Sequence, residues 1–328
     1  MPIDWPRFSQ LIRAHERFLL ISHVRPDADA LGSELAMAGV LESLGKQVRI
    51  VNGHPTPPNL KFLDPENRIR VIHADVQPAE LADVDLAMIL DTSAWVQLGA
   101  MGDVFRGLKV TKIVLDHHVS DDDLGAQMFK DVTAPATGRL VLEAAHALEV
   151  PLTPRIASPA FAALATDTGW FRFASATGGA YRAAAELIDA GASPAALYKS
   201  LYEHDTLARL QLIGRTLARA QTDLGGRLIW TSIRRADFDE TGAVASDSED
   251  IVNMTLQVGG TDAAVIFVEQ TSGEIKVSFR SRCNLNCAKL AEQFKGGGHK
   301  AAAGATLPGP LAEVERRVLD AVRQALDS

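Results

Sequence analysis

Short apolar runs alternate with helix-like stretches through the first half of the chain. Runs of this length and near-continuous hydrophobicity are typical of strands buried on both faces. The four runs lie at residues 18–22, 47–51, 86–90 and 112–115. A helical pattern covers residues 31–44. Strand and helix in alternation predict an α/β fold, a largely parallel sheet with helices on both faces.

The pattern changes after the fourth run. It is α-rich over about residues 138–187, and residues 188–222 form short helical segments broken at Gly191 and Pro194. Strand-like and helical stretches then alternate, which predicts a smaller α+β domain. The strands are expected at residues 227–233, 263–269 and 275–280, and the helices at residues 286–294 and 311–326. We therefore predict an α/β domain at 1–190, a helical connector at 191–222 and an α+β domain at 223–328.

Composition indicates a protein of the cytoplasm. The chain has 328 residues, of which 47% are hydrophobic, yet its apolar runs stay far below the roughly 20 residues that a membrane helix needs. Its N-terminus lacks the basic and apolar segments of a secretory signal. Only two cysteines occur, Cys283 and Cys287, and this favours a reducing compartment over a disulfide framework.

The charge is unevenly distributed along the chain. The formal net charge is −8, which argues against a protein that tracks long duplex DNA. Residues 276–300 nevertheless hold six basic residues against one acidic residue, Glu292. A local basic patch of this kind suits short anionic ligands.

Acidic and histidine residues follow the predicted strands of the first half. They are His23, Asp27 and Asp29 after the first strand, Asp91 after the third, and Asp116, His117 and His118 after the fourth. Asp167 ends an Ala-rich helical stretch. Ligands of open α/β sheets bind at the carboxyl ends of the strands, so we expect these side chains to share one crevice.

Such a cluster is most simply explained by bound cations. A single Asp at a strand end is usually a turn or capping residue, but so many carboxylates in one place would repel each other. Carboxylate oxygen with imidazole suits manganese better than a metal that prefers thiolates. The number of ligands predicts two ions, and metals about 3.5–4 Å apart are a standard arrangement for attack on phosphorus.

The order and spacing of these residues resemble the motifs of DHH phosphoesterases. The segment from His23 to Ser33 resembles the first motif, Asp91-Thr-Ser the second, Asp116-His-His the third, and Asp167 matches the fourth. The resemblance covers most of the chain. It implies that His23, Asp27 and Asp91 hold one metal, with Asp91 shared.

The second metal is expected, by the same resemblance, to be held by Asp29, Asp91, His117 and Asp167. Asp116 is expected to orient a neighbouring ligand. His118 is expected to face the substrate, where it contacts the phosphate or assists proton transfer. Trp170, Phe171 and Phe173 follow Asp167 closely. They could stack on a base, although core packing is the simpler interpretation.

A glycine-rich segment forms the main signal of the second half. Three successive glycines allow close backbone approach to an anion, and His299 adds a donor. The segment resembles the DHH-associated C-terminal domain, with its GGGH and AAG signature and an upstream Arg-Ser element. The implied substrate-binding residues are Arg280, Ser281, Arg282, Gly296, Gly297, Gly298 and His299.

The two-domain outline most resembles bifunctional oligoribonucleases (nanoRNases) that also act on 3′-phosphoadenosine 5′-phosphate (pAp). Family II pyrophosphatases lack the GGGH signature, RecJ-type exonucleases carry extra domains, and membrane cyclic-dinucleotide phosphodiesterases carry membrane segments. A stand-alone cyclic- or linear-dinucleotide phosphodiesterase is the alternative, and a non-catalytic nucleotide-binding sensor is the alternative of another class.

The expected partners are small nucleotides and short single-stranded oligonucleotides, without long duplex DNA and without a membrane. No extended basic track is visible outside residues 276–300, so long polymers should gain little affinity. A cleft between two small domains would also limit the length that is held. The sequence leaves the oligomeric state open, with a homodimer as one option.

Overall fold

The protein folds into two compact units in this computed structural model, which describes residues 3–120 and 122–327. The N-terminal unit is Met1–His204 and the C-terminal unit is Asp205–Ser328. The stretch predicted as a connector, residues 191–222, is divided between these units. Each unit has its own sheet and its own hydrophobic cores.

A six-stranded sheet, parallel throughout, forms the centre of the N-terminal unit. Its spatial order is β3-β2-β1-β4-β5-β6. The strands are β1 (Arg17–Ile21), β2 (Gln47–Asn52), β3 (Ile69–Val71), β4 (Leu86–Leu90), β5 (Thr111–Asp116) and β6 (Gln127–Lys130). The predicted α/β class and parallel sheet are confirmed.

Helices cover both faces of this sheet. Alternation along β1 divides its side chains, with Phe18 and Leu20 in the larger core and Leu19 and Ile21 in the smaller one. The larger core lies under α2, α4 and α5, and the smaller under α3. The helices are α1 (Trp5–Ala14), α2 (Ala28–Ser43), α3 (Ala100–Gly107), α4 (Thr137–Ala147), α5 (Pro154–Asp167), α6 (Gly178–Asp189) and α7 (Pro194–Tyr202).

The strand order reverses at β1. The chain runs from β1 outward through β2 and β3, then returns so that β4 lies on the other side of β1. Such a switch point leaves a crevice beyond the carboxyl ends of the two central strands. His23 follows β1 and Asp91 follows β4 directly, so both residues lie at this crevice.

Two glycines let the helices beneath the crevice approach closely. A Cβ on Gly32 of α2 would overlap the carbonyl oxygen of Pro159 in α5. A Cβ on Gly138 of α4 would overlap the Cβ of Ala163, also in α5. Close packing of α2, α4 and α5 brings the first turns of α2 and α4 together, and Asp29 lies at their junction.

The C-terminal unit is built on a second, mixed sheet. Its order is β11-β12-β10-β9-β8-β7, antiparallel except for the β8–β9 pair. The strands are β7 (Gln221–Asp223), β8 (Leu228–Ile233), β9 (Ala263–Glu269), β10 (Ile275–Ser281), β11 (Gly297–Gly298) and β12 (Ala302–Leu307). The smaller α+β domain that the sequence predicts is present.

Helices lie on both faces of the second sheet. Residues of α11 and α12 share one core with the sheet, and residues of α8, α9 and α10 share the other. The helices are α8 (Leu207–Ala218), α9 (Arg235–Thr241), α10 (Ile251–Thr255), α11 (Cys287–Glu292) and α12 (Leu311–Asp327). In the described residues, no helix combines the length and apolar character that crossing a membrane requires.

The glycine-rich segment is part of a β-hairpin rather than an open loop. Gly297 and Gly298 form β11 and pair with β12, and the amide of His299 donates to the carbonyl of Ala302 at 2.8 Å. Gly298 has φ 145°, and a Cβ there would lie 2.5 Å from the Cα of Ala303. The glycines are therefore needed for the close strand pairing itself.

Candidate metal centre

The ends of β1 and β4 bring the first group of candidate ligands together. Nε2 of His23 lies 3.4 Å from Oδ2 of Asp91 and 3.8 Å from Oδ1 of Asp27. Asp91 is 2% exposed, whereas Asp27 remains open to solvent. One ligand atom from each residue lies within 4.8 Å of the others, a spacing suitable for one metal ion.

A second group surrounds His117, just after β5. Its Nε2 lies 3.6 Å from Oδ2 of Asp29 and 3.6 Å from Oδ2 of Asp167. It also lies 3.5 Å from Oδ1 of Asp91. The two oxygens of Asp91 therefore face different histidines, with Oδ2 toward His23 and Oδ1 toward His117.

Backbone carbonyls set the tautomers of the two histidines. Nδ1 of His23 is 3.0 Å from the carbonyl of Val24, and Nδ1 of His117 is 3.1 Å from the carbonyl of Ala134. A carbonyl only accepts, so each Nδ1 carries the proton of the neutral ring. Each Nε2 lone pair is then left to face the carboxylates, as a metal ligand requires.

Two helix N-termini fix the first-motif carboxylates. Asp27 caps α2, and its Oδ1 accepts from the amides of Asp29 and Ala30 at 3.0 Å. Asp29 accepts from the first amides of α4, at 2.8 Å from Thr137 and 2.9 Å from Gly138. A carboxylate at a helix N-terminus is favoured by the partial positive charge there. Asp29 is thereby held in one orientation although it is buried.

Asp91 has an unusual backbone conformation. Its φ is 65°, in the left-handed region that only a few per cent of non-glycine residues adopt. Its amide still donates to the carbonyl of Leu115 at 3.1 Å, and its Oδ1 accepts from the Thr137 hydroxyl at 2.9 Å. These bonds hold the turn that aims the carboxylate into the crevice.

Three of the carboxyl groups in the cluster, those of Asp29, Asp91 and Asp167, have raised pKa values. Burial, reinforced by the charge of Asp29, raises the pKa of Asp91 well above its usual value. Burial also raises the pKa of Asp29, and burial with the charge of Asp29 raises the pKa of Asp167 to about 6. The side chains around these three carboxyl groups therefore supply too little positive charge to favour their ionised forms.

His23 supplies part of that charge when it is protonated. Its burial favours the neutral ring, but Asp27, Asp91 and the Val24 carbonyl together raise its pKa to about 11. A divalent cation between the same atoms would replace this proton and relieve the repulsion among the carboxylates. The donor set of oxygen and imidazole nitrogen therefore fits a divalent metal.

Asp116 and His118 form a hydrogen-bonded pair at the edge of the cluster, where Nδ1 of His118 also lies 3.7 Å from Oδ1 of Asp91. Oδ1 of Asp116 accepts from the amide of His118 at 3.0 Å and lies 2.9 Å from its Nδ1. Asp116 is fully buried, and His118 is half exposed. The hydrogen bond to Asp116 raises the pKa of His118 and leaves its Nε2 as the ring atom available to a substrate.

The C-terminal unit holds the residues predicted to bind substrate. Arg282, Gly297, Gly298 and His299 are exposed, and Arg280 is half-buried with its Nε donating to Oδ1 of Asn253 at 3.0 Å. The remaining two, Ser281 and Gly296, are half-buried. The amide of Gly296 donates to the carbonyl of Ala291 at 2.9 Å. Since the His299 amide is also used within the hairpin, fewer free amides remain for an anion than the sequence predicts.

Comparison with known proteins identifies the family. Residues 17–164 match the N-terminal domain of the DHH family, and residues 227–328 match the DHHA1 domain. A bifunctional oligoribonuclease and PAP phosphatase of Thermus thermophilus is 33% identical over 97% of this chain and 93% of its own length. The chain belongs to the DHH family.

Two further comparisons agree with this assignment. A bifunctional oligoribonuclease and PAP phosphatase of Bacillus subtilis is 27% identical over 91% of this chain and 93% of its own. The crystal structure of an exopolyphosphatase-related protein from Bacteroides fragilis superposes with a TM-score of 0.82 at 25% identity, covering 98% of this chain and 95% of that one. As a DHH phosphoesterase, the protein is a metal-dependent hydrolase, and the histidine–carboxylate groups are its candidate metal ligands.

Lys130 is a residue of this DHH site that the sequence motifs do not reveal. Its Nζ donates to Oγ of Ser93 at 2.6 Å, binds the carbonyl of Ser120 and lies 3.6 Å from Oδ2 of Asp116. It is the cation that compensates the buried Asp116. A lysine at the end of an edge strand carries no sequence signal for this role, because most such lysines are solvated.

Glu34 is a second residue that sequence reasoning missed. Its Oε2 accepts from Nδ2 of Asn52 at 2.9 Å, and Oδ1 of Asn52 accepts from the amide of Ser22 at 2.8 Å. This chain of bonds ties α2 to the end of β1, one residue before His23. Glu34 is fully buried, and burial raises its pKa to about 8. Its one sequence signal is a charged residue within the apolar stretch of α2.

We predict that Glu34→Gln becomes more stable than the wild type as the pH rises. The folded pKa of about 8 lies above the ordinary value of 4.5, so the folded protein keeps a proton that the unfolded chain loses. The contribution of Glu34 to wild-type stability therefore falls from pH 4.5 through about pH 8, by on the order of 1 kcal/mol per pH unit. Glutamine keeps the shape of the protonated acid without titrating.

The measurement is the urea-unfolding free energy of metal-free protein at pH 5 and pH 8.5. Glu149→Gln is the matched control, because the Glu149 side chain is 88% exposed. Equal stability of Glu34→Gln and wild type at both pH values would mean that Glu34 has an ordinary pKa.

Proposed function

We propose that this protein is a cytoplasmic phosphoesterase that uses two manganese ions to hydrolyse short oligoribonucleotides and to release phosphate from pAp. The two oxygens of Asp91 carry the proposal, because they face His23 at 3.4 Å and His117 at 3.5 Å. A carboxylate with one oxygen directed at each ligand group is suited to bridging a pair of cations.

The ligand types favour manganese. His23, Asp27 and Asp91 would hold one ion, and Asp29, Asp91, His117 and Asp167 the other. All of these ligands are carboxylate oxygen or imidazole nitrogen, which suit Mn²⁺ better than ions that prefer thiolate. When bound, the cations would lower the pKa of an attacking water and stabilise negative charge on the phosphoryl oxygens.

His118 is suited to donate a proton to the leaving oxygen. Its Nδ1 proton is held by Asp116, so the proton available to a substrate is the one on Nε2. The raised pKa of His118 favours the charged ring near neutral pH, which a general acid requires. The pKa of Asp116 is lowered by its bonds to His118, despite burial, so it stays ionised.

The names of the relatives support the substrates. Proteins named for oligoribonuclease and PAP phosphatase activities align over nine-tenths or more of this chain. The basic residues of the C-terminal unit suit phosphates, with arginine able to bind them in bidentate fashion. The two cysteines are free thiols, which supports a reducing compartment.

Asp91→Ala is expected to abolish activity and to remove metal. Loss of the shared ligand weakens both ion sites, so kcat/KM should fall by at least about 100-fold. Metal content per chain by mass spectrometry and turnover of pAp are measured together. Asp103→Ala, an exposed acid of α3, should leave both unchanged. Two ions per chain with near-normal turnover in Asp91→Ala would refute the bridging role.

Arg282→Ala is expected to weaken substrate binding without affecting the metals. Loss of a charged hydrogen bond to phosphate costs roughly 1.5–3 kcal/mol, which corresponds to a KM raised about 10- to 100-fold. Arg317→Ala, an exposed arginine of α12, is the matched control. Loss of metal with an unchanged KM would contradict the role in substrate binding.

Preference for short substrates is the third expectation. The basic residues of the sequence concentrate within residues 276–300, which supports a limit on length, so nucleotides beyond about two to five should add little affinity. The test is kcat/KM on a ladder of single-stranded RNA with manganese, beside pAp, cyclic dinucleotides and pyrophosphate.

The outcomes of this panel separate the candidate functions. Efficiency that rises steadily to long strands would indicate a processive exonuclease. Cleavage of cyclic dinucleotides alone would indicate a dinucleotide phosphodiesterase. Binding without hydrolysis of any substrate would indicate a nucleotide sensor.

A further inference from the structure

Aromatic side chains gather next to the end of α5 in the N-terminal unit. Three of them come from the loop after Asp167, and the others are the three tyrosines of the chain. This aromatic cluster consists of Trp170, Phe171, Phe173, Tyr181, Tyr198 and Tyr202. Its members lie within 33 residues of sequence, although the chain has 328.

The cluster has a buried side that fixes its rings. Phe161, inside α5, contacts Trp170 at 6.1 Å and Phe171 at 6.0 Å between ring centroids. Trp170 lies edge-on to Tyr198 at 5.0 Å and to Tyr202 at 5.7 Å. These contacts join the loop to α7, so core packing explains Trp170 and Phe171 in part.

Core packing does not explain the outer rings. Phe173 is 56% exposed, and Tyr181, Tyr198 and Tyr202 are 55%, 40% and 47% exposed. Over residues 3–120 and 122–326, these four are the exposed aromatic side chains. Large aromatic rings are costly to leave in water and usually mark a binding surface when they cluster.

The loop that carries the cluster is strained and adjoins the metal centre. Trp170 and Phe171 have φ of 56° and 62°, which costs bulky residues about 1–3 kcal/mol each. Such strain is found mainly at functional sites. Trp170 is three residues after Asp167, a reach of at most about 11 Å along the chain. Asp167 in turn lies 3.6 Å from His117.

A positive charge accompanies the rings. Arg172 lies in the same loop, is exposed, and its Nε donates to the carbonyl of Gly169 at 2.8 Å. Aromatic faces with an adjacent arginine are the combination that binds single-stranded nucleic acid, where each stacked base contributes about 1–3 kcal/mol.

We propose that the aromatic cluster is a stacking surface for the nucleobase next to the phosphate that is cleaved. Of its four exposed rings, Tyr198 and Tyr202 are the two that contact Trp170, and they are expected to stack with the base. The inference rests on the proposed function, since it assigns the base-binding part of that site. It predicts that the enzyme distinguishes a nucleotide from the same phosphates without a base.

The test compares pAp with ribose 3,5-bisphosphate, which has the same phosphates and lacks adenine. Tyr198→Leu and Tyr202→Leu remove the ring and keep an apolar side chain. Each is expected to lower kcat/KM for pAp by about 5- to 100-fold, mainly through KM. Neither should alter kcat/KM for the base-free substrate. Tyr198→Phe and Tyr202→Phe, which keep the ring, should restore activity on pAp, and the exposed Val244→Ala is the unrelated control.

Three results would overturn the proposal. Equal losses of kcat/KM on both substrates would mean that the tyrosines only hold Asp167 in position. Unchanged kcat/KM for pAp would mean that no base stacks on the cluster. A change in oligomeric state of the leucine variants, measured by analytical ultracentrifugation, would mean that the cluster is a contact between copies of the chain.

Fluorescence separates this inference from the proposed function. If the wild type hydrolyses neither substrate, the proposed function fails, and quenching of tryptophan fluorescence by pAp still reports stacking near Trp170. Quenching should be lost in Tyr198→Leu, Tyr202→Leu and Trp170→Phe, and ribose 3,5-bisphosphate should not cause it. Absence of quenching by pAp in the wild type would overturn the stacking surface on its own.

Discussion

Repulsion between the buried carboxylates of Asp29 and Asp91 is the constraint on which the N-terminal unit depends. Neither can move into water, because Asp29 is bonded to the first amides of α4 and Asp91 to the Thr137 hydroxyl and the end of β5. Burial raises the pKa of both carboxyl groups, and the charge of Asp29 adds to the rise at Asp91. A charged pair held in this way calls for a compensating cation, which fits a candidate metal centre in a metal-dependent DHH phosphoesterase.

The packing of helices α2, α4 and α5 follows from the need to hold the buried carboxylate of Asp29 in place. Asp29 meets the amides of α4 only because α2, α4 and α5 approach closely, and Gly32 and Gly138 permit that approach. At the end of β1, the hydrogen bonds of Asn52 and Glu34 connect the strand to α2. They fix the position of the backbone just before His23. Close packing at two glycines and the buried hydrogen bonds of Asn52 and Glu34 thus set the positions of the candidate ligands.

The sequence predicts those features that depend on long apolar runs and on residue type at their ends. Strands β1, β4 and β5 and the polar residues after them are visible because two-sided burial demands continuous hydrophobicity. Strands β3 and β12 are not predicted from the sequence. β3 (Ile69–Val71) is only three residues long, and the Ala-Gly composition of β12 has low strand propensity. Lys130 and Glu34 could not be predicted, because their roles arise from tertiary contacts with Asp116 and Asn52 that leave no spacing pattern.

The charges of the site explain why Asp116 differs from the other acids. Asp27, Asp29, Asp91 and Asp167 form the carboxylate part of the ligand groups, and their four negative charges would balance two divalent cations with both histidines neutral. A fifth uncompensated carboxylate in the same crevice would upset that balance. Asp116 avoids this because Lys130 faces one of its oxygens and His118 the other. Its charge is thereby used to orient His118, which explains why the acid at the end of β5 can act on a neighbouring histidine instead of serving as a metal ligand.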